Sequence, residues 1–261
     1  MEILKTTIEQ SSRTDEFSFR LMGDFHIGSS GFDEDGLRRD IKEITNHPNC
    51  MVFCMGDYIE NTPVTHKNWD PEHLDRNLML PEEQYDLALE VLEPLRGRIL
   101  GFIDGEHDQR TVPLTGHSWT RYLCREFDAA YLGETAIARV QFKRVHEKRS
   151  WDFYLSHGRS RSTKGGAVVN KLTDLGSHWG ADIFAMGGAH YLKTWKEAYL
   201  YLNNAGTLEA RERAFASTGS YLKSYEVGKK SYAEPKQYNP LIVGSPTLTI
   251  TPSTGELVLS E

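Results

Sequence analysis

The chain has 261 residues, long enough to bury a full core as one large α/β domain or two small ones. Its 39% hydrophobic and 26% charged residues are ordinary for a globular protein, and no apolar run approaches the roughly 20 residues of a membrane span. The formal charge of −7 argues against a protein that coats duplex nucleic acid, because phosphate neutralisation needs a broad basic surface. A small basic cleft is not excluded.

The cysteines and the first residues of the chain indicate the cellular compartment of the protein. Cys50, Cys54 and Cys124 are odd in number and lie in or beside apolar segments, which favours reduced core residues over a disulfide or zinc framework. The first residues, "MEILKTTIEQ", lack the basic and apolar regions of a signal peptide. Together these features predict a soluble cytoplasmic protein with no membrane partner.

Short apolar segments alternate with amphipathic ones along the first 190 residues. In chain order we predict a strand at "FSFRLM", a helix over 37–44, a strand at "CMVFC", a helix over 81–95 and a strand at "RILGF". A helix over 119–127, a strand at "WDFYLS", a helix over 168–176 and a strand at "ADIFAM" follow. This alternation predicts right-handed crossovers and a largely parallel or mixed sheet with helices on its faces.

The pattern changes after residue 190, where the segments are β-rich and punctuated by turns. They show no helical periodicity, and no linker separates them from the preceding part. We therefore predict a single domain, 1–261, whose C-terminal part, 191–261, forms part of a second sheet layer.

Each of the five predicted strands ends in glycine beside an acidic residue or a histidine: "GDFH", "GDY", "GEHD", "SHG" and "GGAH". Any one of these is weak, because an Asp after a strand is usually a helix cap. The same pattern at five strand ends is hard to explain as a coincidence. Since the carboxyl ends of strands in an open α/β sheet share one edge, the pattern predicts one cluster. Its members are Asp24, His26, Asp57, Glu106, His107, Asp108, His157 and His190.

Carboxylates mixed with imidazoles suit Mn, Fe, Co, Ni or Zn better than Ca, which prefers oxygen ligands alone. The spacing of Asp24 and His26 puts both on one side of an extended chain, so that both can bind one ion. A carboxylate between two ions can bridge them at the ~3.5–4 Å separation of two-metal sites, where a bridging water ionises near neutral pH.

These five motifs, in this order, resemble the signature of the calcineurin-like metallophosphoesterases: D-x-H, G-D, G-N-H-D/E, a lone His, and G-H-x-H. The resemblance extends from Asp24 to His190. It implies a four-layer α/β/β/α sandwich of mixed sheets with helices on the outer faces. It also implies two divalent metal ions, with Mn expected first and Fe, Zn, Ni, Co or Mg as alternatives.

Carried over by position, the resemblance assigns metal ligands. Asp24, His26 and His190 would hold the first ion, Asp57 would bridge the two ions, and His157 would hold the second.

The same resemblance assigns catalytic roles and shows two departures. His107 would protonate the leaving-group oxygen, and Asp108 would orient its imidazole. Glu106 stands where the family has a neutral Asn, and Gly188 stands where it has the first His of G-H-x-H. The changes could compensate, with Glu106 a ligand and a harder ion such as Mn²⁺ or Mg²⁺ in the second site. Gly188→His is then expected to tighten binding of that ion. They could instead leave a weak or empty second site, or a degenerate protein-binding module.

Phosphate substrates call for cations near the metals. Arg110 follows "GEHD", and Arg159 and Arg161 follow "SHG", although the latter segment could be a plain solvated loop. Asn61 is a further candidate phosphate contact. We predict a metal-dependent phosphoesterase that attacks a phosphate ester with a metal-bridging hydroxide. Phosphodiesters, nucleotides or DNA are slightly favoured as substrates, because the Tyr- and Lys-rich tail would suit stacking of a base, although such a tail is more often a plain sheet surface. A phosphomonoesterase acting on proteins or small molecules and a non-catalytic binding module remain alternatives.

Overall fold

Two packed sheets form the centre of the molecule. The computed structural model describes residues 1–67, 69–158, 164–228, 233–234, 237 and 239–261. Within these residues, two six-stranded sheets face each other, and each carries helices on its outer face. The predicted four-layer α/β/β/α sandwich is confirmed.

The first sheet contains the strands that lead into three of the five motifs. Its strands, in spatial order, are β12 (Glu256–Ser260), β11 (Thr247–Thr251), β2 (Phe17–Met22), β3 (Cys50–Cys54), β4 (Ile99–Phe102) and β5 (Ala130–Tyr131). Strands β2 to β5 are parallel to one another, whereas β11 pairs antiparallel with both β2 and β12. The carboxyl ends of β2, β3 and β4 therefore lie at the same edge.

The second sheet contains the strands that lead into the other two motifs. Its strands, in spatial order, are β1 (Glu2–Glu9), β6 (Thr135–Arg144), β7 (Glu147–Ser156), β8 (Ile183–Met186), β10 (Leu208–Thr218) and β9 (Leu192–Leu202). Strands β7, β8 and β10 run parallel, while β6 and β9 pair antiparallel with β7 and β10.

Four of the helices in the described ranges follow predicted segments closely, and the short helix Val112–Thr115 was not predicted. The helices are α1 (Glu34–Asn46), α2 (Pro81–Leu92) with a 3-10 turn (Glu93–Leu95), α3 (Val112–Thr115), α4 (Trp119–Phe127) and α5 (Gly165–His178). The apolar stripe of α1, Leu37, Ile41 and Ile44, is buried. The Glu83 carboxylate accepts from the Leu80 N–H at 3.0 Å and so caps the start of α2. None of the helices in the described ranges is long and apolar enough to cross a bilayer.

Three apolar layers hold the sandwich together. Between the sheets, the fully buried Phe19 packs against Phe53 and Phe153, with ring centroids 6.3 and 5.2 Å away. A second layer lies between the first sheet and α1, α2 and α4, and contains the buried thiols Cys50, Cys54 and Cys124. The third lies between the second sheet and α5. The apolar layer between the sheets packs them face to face. The strand ends of one sheet therefore lie opposite the strand ends of the other.

The C-terminal segment divides between the two sheets. It was expected to belong to the second sheet, and β9 and β10 do so. Strands β11 and β12 instead extend the first sheet beyond β2, where Ile250 and Leu248 are fully buried in the layer between the sheets. The alternation in "TLTIT" fits this position, because one face of the strand is buried and the other is half-exposed.

Candidate metal centre

The eight predicted residues lie in the loops that follow β2, β3, β4, β7 and β8. One prediction was wrong: these five strands do not belong to one open sheet. The first three belong to the first sheet and β7 and β8 to the second. The two sheets present their carboxyl-terminal edges side by side, so the crevice is formed by both.

The backbone at the site is held in an uncommon conformation. Asp24, His26, Asp57 and His190 have φ angles of 52°, 50°, 54° and 53°, in the left-handed region. Such a conformation costs a non-glycine residue about 1–3 kcal/mol and persists only where the surroundings impose it. Four of the six predicted metal ligands thus adopt strained backbone in order to turn their side chains into the crevice.

The first predicted ligand group is formed by Asp24, His26 and His190. His190 Nε2 lies 3.1 Å from both Asp24 Oδ1 and His26 Nε2, and His26 Nε2 lies 4.0 Å from Asp24 Oδ1. Asp24 Oδ1 is buried and accepts no hydrogen bond of ordinary geometry from the described residues. Ligands around one ion at ~2.1 Å have this spacing, so these three atoms fit a shared cation.

Asp57 and His157 lie next to that group. Asp57 Oδ2 is 3.2 Å from His157 Nε2 and 3.8 Å from His26 Nε2, so it lies between the ligands of both predicted ions. His157 Nδ1 donates to the Met55 carbonyl at 2.7 Å, which leaves Nε2 for a metal. Burial lowers the pKa of His157, but Asp57 outweighs it and the pKa is raised to about 10. A cation that binds His157 must therefore displace a proton.

Glu106 is exposed, unlike the other predicted ligands. Its carboxylate nevertheless belongs to a group with Asp57 and His107 whose ligand atoms all lie within 4.8 Å of one another. Among the described residues, Glu106 and His157 share no such group. A second site with Asp57, His157 and Glu106 as ligands, as the resemblance predicts, would be richer in oxygen than the first and would suit a hard ion such as Mn²⁺ or Mg²⁺.

The space around Gly188 leaves little room for a side chain. Its φ is +64°, and a Cβ added there would lie 3.0 Å from His157 Nε2 and 3.0 Å from the His157 carbonyl oxygen. Its N–H donates to Asp24 Oδ2 at 3.0 Å. A side chain at 188 would therefore press on His157, and the structure argues against the expectation that Gly188→His tightens the second site.

We expect Gly188→Ala to weaken Mn²⁺ binding by about 10-fold, the lower end of what disturbing a ligand's surroundings costs. Calorimetric titration of chelator-treated protein measures this affinity. Gly166→Ala is the control, since nothing lies within 4 Å of a Cβ at that position. Tighter Mn²⁺ binding by Gly188→His than by the parent would show that His157 can move aside.

His107 is buried between Glu60 and Arg110. Its Nδ1 lies 2.8 Å from the Glu60 carbonyl oxygen, and Arg110 Nη2 lies 2.6 Å from its Nε2. Because a carbonyl only accepts and a guanidinium only donates, Nδ1 carries the proton and Nε2 is the acceptor. Burial lowers the pKa of His107 to about 4, and Arg110 acts in the same direction. The imidazole is therefore neutral at pH 7.

We expect Arg110→Gln to raise the pKa of His107 toward the ordinary value of a histidine, because a cation beside Nε2 is removed. An NMR pH titration of chelator-treated protein would follow the His107 ring. The control is Arg38→Gln, which removes an arginine of α1 that pairs with Glu34 and Glu90. It should leave the pKa of His107 unchanged. An unchanged midpoint in Arg110→Gln would contradict the assignment.

Two predicted residues have a different role from the one expected. Asp108 does not orient His107: its carboxylate accepts from the backbone N–H groups of Asp57, Tyr58 and Gly105 at 2.8, 3.1 and 2.9 Å. Asn61 is fully buried, and its Nδ2 donates to the His107 carbonyl at 2.6 Å rather than facing the crevice. Both side chains fix the loops after β3 and β4 to each other.

Glu60 is a residue of the site that none of the sequence motifs indicated. Its carboxylate lies 3.1 Å from His26 Nδ1, 3.4 Å from His107 Nδ1 and 3.2 Å from Arg110 Nη1. Burial alone would raise the pKa of the Glu60 carboxyl, but its interactions with His107, His26 and Arg110 hold that pKa well below its ordinary range. By accepting from His26 Nδ1 it turns His26 Nε2 toward Asp24 and His190. Its position three residues after Asp57, on the same exit loop, is the signal that could have found it.

Of the three arginines predicted to bind phosphate, the structure describes Arg110. Arg110 lies in the crevice, donates to the Glu60 carbonyl at 3.0 Å and also contacts Thr62 Oγ1. Arg159 and Arg161 lie outside the described residues.

Several solved structures have a similar fold. An NAD nucleotidase (NadN) of Haemophilus influenzae is 12% identical, with a TM-score of 0.43 over 95% of this chain and 49% of that one. A putative 5′-nucleotidase from Staphylococcus aureus is 10% identical, with a TM-score of 0.49 over 95% of this chain and 53% of that one. A Vps29 double mutant from Entamoeba histolytica is 14% identical, with a TM-score of 0.41 over 94% and 98%. The chain thus spans about half the length of the two nucleotidases. No protein-family model and no curated protein matches the sequence.

The observed fold is the one that the motifs led us to expect. Two mixed sheets in a four-layer sandwich bring Asp24, His26, Asp57, His157 and His190 together at one edge. This architecture is consistent with the metallophosphoesterase sandwich that the resemblance of the motifs implied.

Proposed function

We propose that the chain is a metal-dependent phosphoesterase that hydrolyses phosphodiesters. The observation that carries the proposal is the convergence of carboxylate and imidazole ligand atoms from Asp24, His26, Asp57, His157 and His190, in groups whose atoms lie within 4.8 Å of one another. Divalent ions bound by these residues, Mn²⁺ first, would activate water near neutral pH and stabilise the charge on the phosphoryl oxygens.

The remaining residues of the site suit substrate binding and proton transfer. Arg110 can exchange its contacts with His107 and Glu60 for a phosphoryl oxygen, which is a better anionic partner than a neutral imidazole. That movement frees His107 Nε2 to hold a proton, with Glu60 beside Nδ1 stabilising the imidazolium. In the overall reaction water adds to phosphorus, the P–O bond to the leaving alcohol breaks, and His107 gives that alcohol oxygen a proton.

Charge favours a diester over a monoester. At neutral pH a diester carries one negative charge, whereas a monoester carries close to two. Among the described residues, Arg110 contacts His107 and Glu60, and the acidic residues Asp104, Glu106 and Glu134 are among those that line a cavity beside His157. This balance suits the smaller anion. Three statements stay predictions: that the natural diesters are nucleotides or nucleic acid, that each chain binds two metal ions, and that the protein is cytoplasmic.

Hydrolysis of bis-p-nitrophenyl phosphate and p-nitrophenyl phosphate by the Mn²⁺-loaded protein tests the proposal. We expect turnover of the diester to exceed that of the monoester, to stop on chelation and to return with Mn²⁺. Faster turnover of the monoester would instead identify a phosphomonoesterase, and no turnover of either by a metal-loaded protein would favour a binding module.

A further inference from the structure

Asp108 is a fully buried carboxylate beside the predicted metal centre. Its Oδ2 accepts from the backbone N–H groups of Asp57 and Gly105 at 2.8 and 2.9 Å, and its Oδ1 accepts from the Tyr58 N–H at 3.1 Å. In the described part of the chain, the hydrogen bonds to this carboxylate therefore come from the backbone. A buried carboxylate is costly unless it is hydrogen-bonded, and three N–H donors offset much of that cost.

The turn after β3 supplies two of these donors because its backbone is left-handed. Gly56 and Asp57 have φ angles of 96° and 54°, and the consecutive N–H groups of Asp57 and Tyr58 point at the same carboxylate. Successive backbone N–H groups in a turn form a concave site for an anion. Here the anion is the Asp108 side chain, which therefore stabilises the uncommon backbone conformation of Asp57.

The loop after β4 fixes the Asp57 side chain as well as its backbone. Gly105 packs so closely that a Cβ at that position would clash with Asp57 N and Oδ1. The His107 N–H donates to Asp57 Oδ1 at 2.8 Å. Asp57 Oδ2 is the oxygen that faces the predicted ligands, 3.2 Å from His157 Nε2 and 3.8 Å from His26 Nε2. A shift of the Asp57 backbone would therefore move Oδ2 away from them.

The His107 imidazole makes its contacts with other groups. Its Nδ1 lies 2.8 Å from the Glu60 carbonyl oxygen, and Arg110 Nη2 lies 2.6 Å from its Nε2. The Asp108 carboxylate instead contacts the backbone on either side of the Asp57 side chain. Its effect on the centre is thus transmitted through Asp57.

We propose that Asp108 is a positioning residue for metal binding: it holds the Asp57 backbone so that Oδ2 stays between His157 and His26. The inference deepens the proposed function, because it rests on a metal ion bound at this centre, but it requires no hydrolysis. The Asp108 carboxylate sets how tightly the centre holds its ion, whereas proton transfer belongs to His107.

Asp108→Asn tests this assignment, because an amide offers one acceptor oxygen and turns an N–H donor toward the backbone donors. We expect Mn²⁺ to bind about 10–100-fold more weakly than to the parent, the usual cost of disturbing a ligand's support. Calorimetric titration of chelator-treated protein measures this. The matched control is Asp15→Asn, since Asp15 Oδ2 also accepts from two backbone N–H groups, those of Ser11 and Ser12, in the exposed loop before β2.

A second variant covers a failure of Asp108→Asn to fold. The Tyr58 hydroxyl accepts from the Gly56 N–H at 3.1 Å and donates to the Ile103 carbonyl at 2.6 Å, so it anchors the same turn. Tyr58→Phe is therefore expected to weaken Mn²⁺ binding in the same titration. Parent-like Mn²⁺ affinity in folded Asp108→Asn, or in Tyr58→Phe where Asp108→Asn does not fold, would overturn the assignment and leave the phosphoesterase proposal standing.

Hydrolysis of phosphodiesters separates positioning from proton transfer. In Asp108→Asn the Mn²⁺ concentration that gives half the maximal rate should rise about as much as the Kd, while kcat at saturating Mn²⁺ stays near that of the parent. A kcat that stays low at saturating Mn²⁺, and falls more for an alkyl ester than for a p-nitrophenyl ester, would instead make Asp108 the partner of His107 and overturn the proposal. Weaker Mn²⁺ binding by Asp108→Asn, in a protein whose parent hydrolyses no phosphate ester, would support the assignment and overturn only the proposed activity. A parent that binds no Mn²⁺ would overturn both.

Discussion

Asp57→Asn is expected to reduce phosphodiester hydrolysis by about 10³-fold or more. Asp57 Oδ2 lies between His157 and His26, so one substitution affects the ligands of both predicted ions. An amide in place of the carboxylate removes a negative charge from a site that must hold divalent cations. Asp57 Oδ1 accepts from the backbone N–H of His107 at 2.8 Å. The amide oxygen of the variant can still accept this hydrogen bond, so the loop after β4 stays attached to the loop after β3.

Metal stoichiometry must fall together with turnover in this variant. Elemental analysis of protein dialysed against Mn²⁺ is expected to show fewer bound ions in Asp57→Asn than in the parent. The control is Asp174→Asn, an exposed carboxylate on α5, which should behave as the parent. Full Mn²⁺ occupancy with full activity in Asp57→Asn would exclude Asp57 as a metal ligand.

His107→Asn is expected to lower kcat by about 10²–10⁴-fold, the usual contribution of a general acid, while metal content stays unchanged. His107 Nε2 contacts Arg110 and its Nδ1 faces the Glu60 backbone and carboxylate, so both ring nitrogens already contact protein groups. The loss should be smaller for a p-nitrophenyl ester than for an alkyl ester, because p-nitrophenolate leaves without needing a proton. Comparing the two leaving groups separates proton donation from a general disturbance of the site.

His146→Asn is the matched control for that experiment. His146 is an exposed histidine in the turn between β6 and β7, at the edge of the second sheet remote from the crevice. An equal loss for both leaving groups in His107→Asn would mean that His107 positions the site and does not donate a proton.

Much of the site could be predicted because its residues follow strand ends. Period-2 and continuous apolar segments marked β2, β3, β4, β7 and β8. Once those strands were assigned, the polar residues after each glycine had to lie near a sheet edge. The spacing of the motifs then brought Asp24, Asp57, His157 and His190 to one crevice, as the distances between them show.

Sheet membership could not be predicted in the same way. Nothing local in "WDFYLS" or "ADIFAM" says that these strands pair with β6 and β10 rather than with β4, because pairing is decided by contacts distant in sequence. Strand β6 was itself missed, although Ala136, Ala138, Val140 and Phe142 alternate along it and are buried. Charged residues between them made the segment look like a surface.

The roles of Glu60 and Asp108 depended on the conformation of loops. The loops after β2 and β3 are joined by the pairing of Ile27 with Ile59, which places Glu60 beside His26. Asp108 turns instead toward three backbone N–H groups. A sequence motif fixes which residues are present at a strand end, but not which of two neighbouring carboxylates faces the imidazole.

Titration of chelator-treated protein with Mn²⁺, with bound metal and bis-p-nitrophenyl phosphate hydrolysis measured on the same samples, tests most directly whether the strand ends form a metal-dependent phosphoesterase centre. We expect no hydrolysis without metal and a rate that rises in proportion to Mn²⁺ bound at the site. Hydrolysis that persists at its full rate after complete removal of metal, or stoichiometric Mn²⁺ binding that brings no hydrolysis of any phosphate ester, would contradict that assignment.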